Sequence, residues 1–169
     1  MQPSLFAARP RECRFSDCRR YRYTLLDIWD DSKSVQPFIG LNPSKADEER
    51  DDNTVRKCIN WSKWWGAGGY LMLNLFAWRD TDPAGMKAAD DPVGPLNTPQ
   101  DLLRYIRAHD TLPTVCAWGN HGMHLGQDQK VLAAFRKSGL EFRCFGLNAN
   151  GTPVHPLMLA YDTPLVRFL

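Results

Sequence analysis

Four amide side chains stand at or just after apolar runs of the sequence, where they could read the edge of a flat polar ligand. They are Asn42, Asn74, Asn120 and Asn148, and histidines lie near two of them. An amide offers both a donor and an acceptor, and the aromatic residues near two of these positions could stack on a ring. The combination predicts a pocket for a nucleobase. Asn120 and Asn148 could instead cap turns, as asparagine often does after a strand.

The apolar runs that carry these amides alternate with helical patterns. This alternation predicts an α/β fold, a three-layer α/β/α sandwich around a central, mostly parallel sheet of four to five strands. In such sheets ligands bind beyond the carboxyl ends of the strands, which is where the amides stand. Strands are predicted at residues 20–28, 35–41, 70–76, 114–118 and 141–147. A first helix, which Asp51, Asp52, Asn53 or Thr54 can cap, runs to about residue 65; a second opens at Thr98 with Asp101 three residues later, and a third spans 128–139.

Composition sets broad limits on the class of protein. The chain has 169 residues and a net charge of +2, which predicts one domain over 1–169 with an N-terminal extension at 1–19. A net charge this close to zero is compatible with binding to a polyanion but does not indicate it. No signal peptide or long apolar run is evident, so we expect a cytoplasmic protein without a membrane partner. Cys13 and Cys18 lack a second pair, so we expect no metal and no cofactor.

Four segments together resemble the motifs of the uracil-DNA glycosylase superfamily. They are GLNPS (40–44), LMLNLF (71–76), AWGNHG (117–122) and HPLMLAYDTPL (155–165), and they occur in the order found in that superfamily. The chain as a whole is similar to a bacterial and phage branch classified as a domain of unknown function. Its patterns LNPSxAD, DDxTxRxC, WGxGG, NLFAxRxTDP and DPVGPxN all have counterparts here.

The resemblance implies a uracil-DNA-glycosylase-like fold and the excision of a base from DNA. Asn42 matches the residue that positions the attacking water. Asp47 could supply a carboxylate beside it, with Asp52 as the second candidate. His155 matches the donor to the base oxygen, where negative charge develops as the base departs. Asn74 matches the residue that reads the pyrimidine edge.

Further residues are implied to contact the base or the DNA. Leu159 falls at the position of the apolar wedge that enters the duplex when a base leaves the stack. Phosphate contacts are expected from basic side chains, and base stacking from aromatic ones. The base-contacting candidates are Gly40, Phe76 and Trp118, and the DNA-contacting candidates are Ser44, Lys45, Arg56, Arg79 and Asn120.

Departures from the superfamily pattern favour a base other than plain uracil. Leu157 and Met158 replace the usual serine and second proline, and charged residues follow the first motif where a stacking aromatic is usual. A modified or mismatched base, such as a modified pyrimidine in phage DNA, therefore fits better, with roles in DNA repair or phage defence. Two alternatives stay open. They are a non-catalytic nucleic-acid- or nucleotide-binding domain that kept the pocket, and another small-ligand α/β enzyme. No obligate protein partner is inferred.

Overall fold

The computed structural model describes residues 10–44 and 51–169. Strands and helices alternate through most of this length, as the apolar pattern predicts. The strands are β1 (Glu12–Phe15), β2 (Arg22–Ile28), β3 (Val35–Gly40), β4 (Gly69–Asn74), β5 (Thr114–Cys116), β6 (Phe142–Cys144) and β7 (Val166–Arg167). The helices are α1 (Asn53–Trp64), α2 (Pro83–Ala88), α3 (Pro99–Arg107) and α4 (Gln127–Arg136), and 3₁₀ turns lie within Asn120–Gly126 and Pro156–Met158.

The strands of the described residues form one mixed sheet in the order β1-β2-β4-β3-β5-β6-β7. The pairs β4–β3, β3–β5 and β5–β6 are parallel, and the pairs at both margins are antiparallel. The α/β class is confirmed, but the prediction of a mostly parallel sheet of four to five strands was wrong. The cause lies in β1 and β7, which are short and largely exposed edge strands without an apolar run. β1 also falls inside the predicted N-terminal extension.

Helices cover both faces of the sheet. On one face α1 packs Val55 and Trp61 into a cluster with Phe38 of β3 and Met72 of β4. On the other face, α3 and α4 pack against the strand residues that alternate with these, such as Ile39 of β3. The alternation of side chains along a strand separates the two clusters, since neighbouring residues point to opposite faces.

The chain reverses its direction across the sheet at β3. After β3 it passes through α1 to β4 on one side, then crosses through α3 to β5 on the other side. Ligands of open α/β sheets bind at such a switch point, beyond the carboxyl ends of the strands. The crevice at the end of β3 is therefore the position that the topology favours for a site.

Local signals in the sequence fix the start of two helices. Asp52 caps α1, and its Oδ1 accepts a hydrogen bond from the backbone N–H of Val55 at 2.7 Å. Thr98 and Asp101 form a reciprocal capping box at the start of α3. The sequence predicts Thr98 as the cap of α3, and Asp52 is one of the four cap candidates that it offers for α1. The cap of α1 also places a carboxylate next to the switch point.

No helix in the two described ranges has the length and apolar character needed to cross a bilayer. Cys58, Cys116 and Cys144 are buried, as expected of core thiols. Burial raises the pKa of the Cys58 and Cys116 thiols, because it disfavours the thiolate.

Candidate functional site

A cavity of about 440 Å³ opens at the carboxyl ends of the four parallel strands. Gly40 ends β3 and Asn74 ends β4, and both line it. Trp118 reaches it from the segment after β5, and His155 from the segment after β6. Each parallel strand therefore contributes to one site at the switch point.

The cavity collects seven of the residues predicted from the sequence. Asn42, Asn74 and His155, which come from three separate parts of the chain, all line it. The predicted residues Asp47 and Lys45 lie outside the described residues. The seven that converge are Gly40, Asn42, Ser44, Asn74, Trp118, Asn120 and His155.

Asn74 presents an unused amide to this cavity. The residue is only 1% exposed, yet neither its Nδ2 nor its Oδ1 has a hydrogen-bond partner within the described parts of the chain. Leaving a buried donor or acceptor without a partner costs about 1–3 kcal/mol. A polar ligand that offers an acceptor and a donor side by side would remove this cost.

Gly40 provides the space for that amide. It stands opposite Asn74 in the register of β3 and β4, so both residues face the same side of the sheet. A Cβ added to Gly40 would lie 2.9 Å from Asn74 Oδ1 and 2.9 Å from Met72 Cε. Any larger residue at position 40 would push the amide out of its present position.

Asn42 anchors the loop that follows β4. Its Nδ2 donates to the carbonyl of Asp80 at 2.8 Å and to that of Trp78 at 3.3 Å. Asn97 fastens the far end of the same loop, since its Nδ2 donates to the carbonyl of Asn74 at 3.0 Å. The nitrogen of Asn42 is thus engaged, and its Oδ1 is the atom left to accept a hydrogen bond from a ligand or water.

Asp52 brings a carboxylate to the cavity wall. While its Oδ1 caps α1, its Oδ2 accepts a hydrogen bond from the hydroxyl of Ser44. Each carboxylate oxygen has a second acceptor direction, so both could still bind water. The sequence ranks Asp52 below Asp47 because the capping role alone explains it, but a cap at the switch point can also serve the site.

The imidazole of His155 is held as a neutral hydrogen-bond donor. Its Nδ1 accepts from the backbone N–H of Leu157 at 3.3 Å, so the proton of the neutral ring belongs on Nε2. Burial lowers the pKa of His155, and the negative charge of Asp52 opposes part of that shift. At neutral pH the ring is therefore uncharged.

Family membership follows from a match over most of the chain. Residues 22–157 match the model of a family described as a protein of unknown function, DUF1643. The chain belongs to the DUF1643 family. This match confirms the likeness to a domain of unknown function, whereas the link to the uracil-DNA glycosylase superfamily stays a prediction. No curated protein and no solved structure matches the chain.

Four predicted residues of the DUF1643 domain do not line the cavity: Phe76, Arg56, Arg79 and Leu159. Phe76 is fully buried beside His124, since β4 ends at Asn74 and the alternation of its side chains stops there. Arg56 lies on the exposed surface of α1, and Arg79 lines a neighbouring groove.

Leu159 does not stand free as a wedge. It is half-buried against the cluster beneath α1, and Lys57 Nζ donates to its carbonyl and, at 3.0 Å, to that of Leu157. Between them Met158 is 89% exposed, and Leu157 lines the cavity. The most exposed apolar side chain at this edge of the cavity is therefore Met158.

The rim of the cavity includes residues that the sequence did not single out. Thr81 and Pro83 line it from the loop after β4, and His121 lines it from the turn after Trp118. Lys87 Nζ lies 3.0 Å from His121 Nδ1 and joins the two sides of the rim. The NLFAxRxTDP pattern includes Thr81 and Pro83, but nothing in it indicates that these residues line the cavity.

Metal coordination has no evident place in this site. Among the residues that the structure describes, no group of three or more His, Cys, Asp or Glu side chains is arranged to hold a metal ion.

Proposed function

We propose that this DUF1643 domain hydrolyses the N-glycosidic bond of a modified or mismatched base in DNA. The observation that carries the proposal is the buried amide of Asn74, whose donor and acceptor both lack a partner in the described chain. A cavity of about 440 Å³ is of the size of small-ligand sites and leaves room for a base with a substituent.

Base recognition would fall to Asn74. The adjacent donor and acceptor of an amide complement the N–H and carbonyl edge of a pyrimidine. Such a base must leave the stack before its edge can be read in a closed pocket. The pairing would offset part of that cost, because it satisfies two atoms that are already buried.

His155 would stabilise the departing base. When the bond between the sugar C1′ and the base nitrogen breaks, both electrons leave with the base and charge collects on its carbonyl oxygen. The Nε2–H of a neutral imidazole can donate to that oxygen without transferring its proton. The base anion then takes a proton from the solvent.

Asn42 and Asp52 would hold the attacking water. Asn42 Oδ1 accepts one of its hydrogen bonds and the Asp52 carboxylate accepts the other. The water oxygen bonds to C1′, and its surplus proton passes to Asp52 or to bulk water. The carboxylate also stabilises the positive charge that develops on the sugar as the bond breaks.

Met158 would fill the space that the base leaves in the stack. Apolar wedges of this kind include methionine. Lys57 fixes the turn by holding the carbonyls on either side of Met158, so the tip is rigid when it meets DNA.

A second candidate function is base binding without catalysis. One observation favours it: the nitrogen of Asn42 and both oxygens of Asp52 already make hydrogen bonds that hold the local structure. A domain that kept the pocket for nucleotide or nucleic-acid binding would need these contacts as well.

The decisive experiment uses labelled oligonucleotides that each contain one defined base. The set includes uracil, thymine mismatches and hypermodified pyrimidines, and alkali converts each excised base into a strand break. His155→Ala should abolish the breaks. Asp52→Asn should abolish them as well, although asparagine still caps a helix. His109→Ala is the matched control, because His109 does not line the cavity.

The outcomes separate the two functions. Breaks that persist in His109→Ala and vanish in the two site variants support the glycosylase. Tight binding of a modified oligonucleotide without breaks, lost in Asn74→Leu, supports the binding domain instead.

A further inference from the structure

A second groove, of about 490 Å³, adjoins the cavity and carries three arginines. Arg19 and Arg20 come from the connection between β1 and β2, and Arg79 comes from the loop after β4. Ser44, Asp80 and Thr81 line both the groove and the cavity, so the two spaces share a wall.

Backbone and ring contacts hold the arginines in place. The backbone N–H of Arg79 donates to the carbonyl of Arg20 at 2.9 Å, and Nη1 of Arg79 donates to the carbonyl of Arg19 at 3.1 Å. The guanidinium carbons of Arg19 and Arg79 lie 4.1 Å and 4.8 Å from the centre of the Phe15 ring. Two positive charges are thus held against one aromatic ring.

Arg79 keeps donors that the described protein does not use. Its Nε is buried without a hydrogen-bond partner, and the described residues place no carboxylate within ion-pair distance of Arg79 or Arg20. A guanidinium has five N–H donors in a geometry that matches phosphate oxygens.

The two acids of the groove are engaged in local turns. Asp80 Oδ1 accepts from the backbone N–H of Asp82 at 2.9 Å, and Asp82 Oδ1 accepts from that of Ala84 at 2.8 Å. They shape the loop and the start of α2. Among the described residues that line the groove, three arginines and two carboxylates give a positive formal charge.

We infer that Arg19, Arg20 and Arg79 form a subsite for a backbone phosphate of a single nucleic-acid strand that runs out of the cavity. The identification of the anion as a phosphodiester rests on the proposed function, because a base in the cavity places the neighbouring phosphate of its own strand beside the shared wall. Thr81 could add a hydroxyl donor at the junction.

The test measures binding rather than excision. A fluorescein-labelled, unmodified single-stranded oligonucleotide of about 12 nucleotides is titrated with protein at several NaCl concentrations, and anisotropy gives Kd. Arg20→Ala and Arg79→Gln should each weaken binding about fivefold at low salt and reduce the slope of log K against log salt by about 0.7. Arg136→Ala, on α4 and away from the groove, should leave the slope unchanged. Thermal melts establish that the variants fold.

The outcomes are distinct from those of the glycosylase test. An unchanged slope in both groove variants, or an equal fall in Arg136→Ala, overturns the subsite whether or not a base is excised. Failure of wild-type protein to bind the strand overturns it too. A reduced slope in the groove variants alone supports it even where no base is excised, and Asn74→Leu should then keep the wild-type slope.

Discussion

Two buried amides on the same face of the sheet show how differently its two ends are built. Gln36 lies near the start of β3 and Asn74 at the end of β4, and each lines a cavity. Gln36 Nε2 donates to the carbonyls of Pro37 at 3.0 Å and Pro113 at 2.9 Å. Asn74 is as deeply buried, but its side chain finds no partner in the described residues.

The difference shows that the volume of a cavity does not by itself identify the functional site. The cavity beside Gln36 measures about 600 Å³ and is the larger of the two. Its buried amide is nevertheless satisfied by the protein and serves packing. Native proteins leave few buried polar atoms without partners, and Asn74 is the described residue with two such side-chain atoms, so its amide at the smaller cavity needs an explanation.

Replacing Asn74 with leucine should produce the largest effect. We expect kcat/KM for base excision to fall at least about 100-fold, since the apolar side chain cannot pair with the base and leaves its polar edge unsatisfied. Gln36→Leu, at the other end of the sheet, should keep near wild-type activity at a temperature where it is folded. Equal losses in both variants would show that the two amides do not differ in function.

The same pair should behave in the opposite way in unfolding. Gln36→Leu removes two hydrogen bonds and leaves buried carbonyls unpaired, so we expect a loss of about 2 kcal/mol in the free energy of unfolding. Asn74→Leu removes no side-chain hydrogen bond within the described structure and removes two unpaired buried polar atoms, so the free energy of unfolding should rise by about 1 kcal/mol. Urea denaturation measures both. A large destabilisation by Asn74→Leu would mean that the protein does use this amide.

Sequence reasoning succeeds where the signal is local and fails where it depends on distant packing. Helix caps depend on a few neighbouring residues: the cap at Thr98 was predicted correctly, and Asp52 is one of the four candidates predicted for α1. The meeting of Asn42, Asn74 and His155 follows from a rule of parallel sheets, because side chains at strand ends share one edge.

The surroundings of some predicted residues depend on contacts that have no local signature in the sequence. Met158 rather than Leu159 is exposed because Lys57, about a hundred residues earlier, holds the turn around it. Phe76 turns into the core because β4 stops at Asn74, which the continuous apolar run does not reveal. The marginal strands β1 and β7 are too short and too polar to be recognised.

Filling the space beside Asn74 should have an intermediate effect. In Gly40→Ala the new Cβ would meet Asn74 Oδ1 at 2.9 Å, so the amide must shift. We expect kcat/KM or base affinity to fall about tenfold, because small displacements of a recognition group are costly. Gly66→Ala is the control, since its φ of 78° makes the substitution strained but nothing lies within 4 Å of the new carbon. If Gly40→Ala behaves like this control, the close approach of Gly40 and Asn74 has no role in binding.

The smallest effect concerns pH and His155. Burial lowers the pKa of this imidazole, so the folded protein binds its proton less readily than the unfolded chain does. The stabilisation that follows is complete above the unfolded pKa of about 6.5 and is lost as the pH falls through the lower pKa of the folded state. We therefore expect the free energy of unfolding to decrease as the pH falls below about 7, and this decrease should be smaller in His155→Gln.

The matched variant for this measurement is His109→Gln, away from the cavity, which should retain the wild-type decrease. Protonation also removes the acceptor at Nδ1 and its hydrogen bond from Leu157, so base binding should weaken over the same range of pH. If His155→Gln keeps the full pH dependence of stability, the imidazole is not desolvated. Solvent would then reach the cavity around His155. The difference between the two ends of the sheet would in that case be carried by the unpaired amide of Asn74 alone.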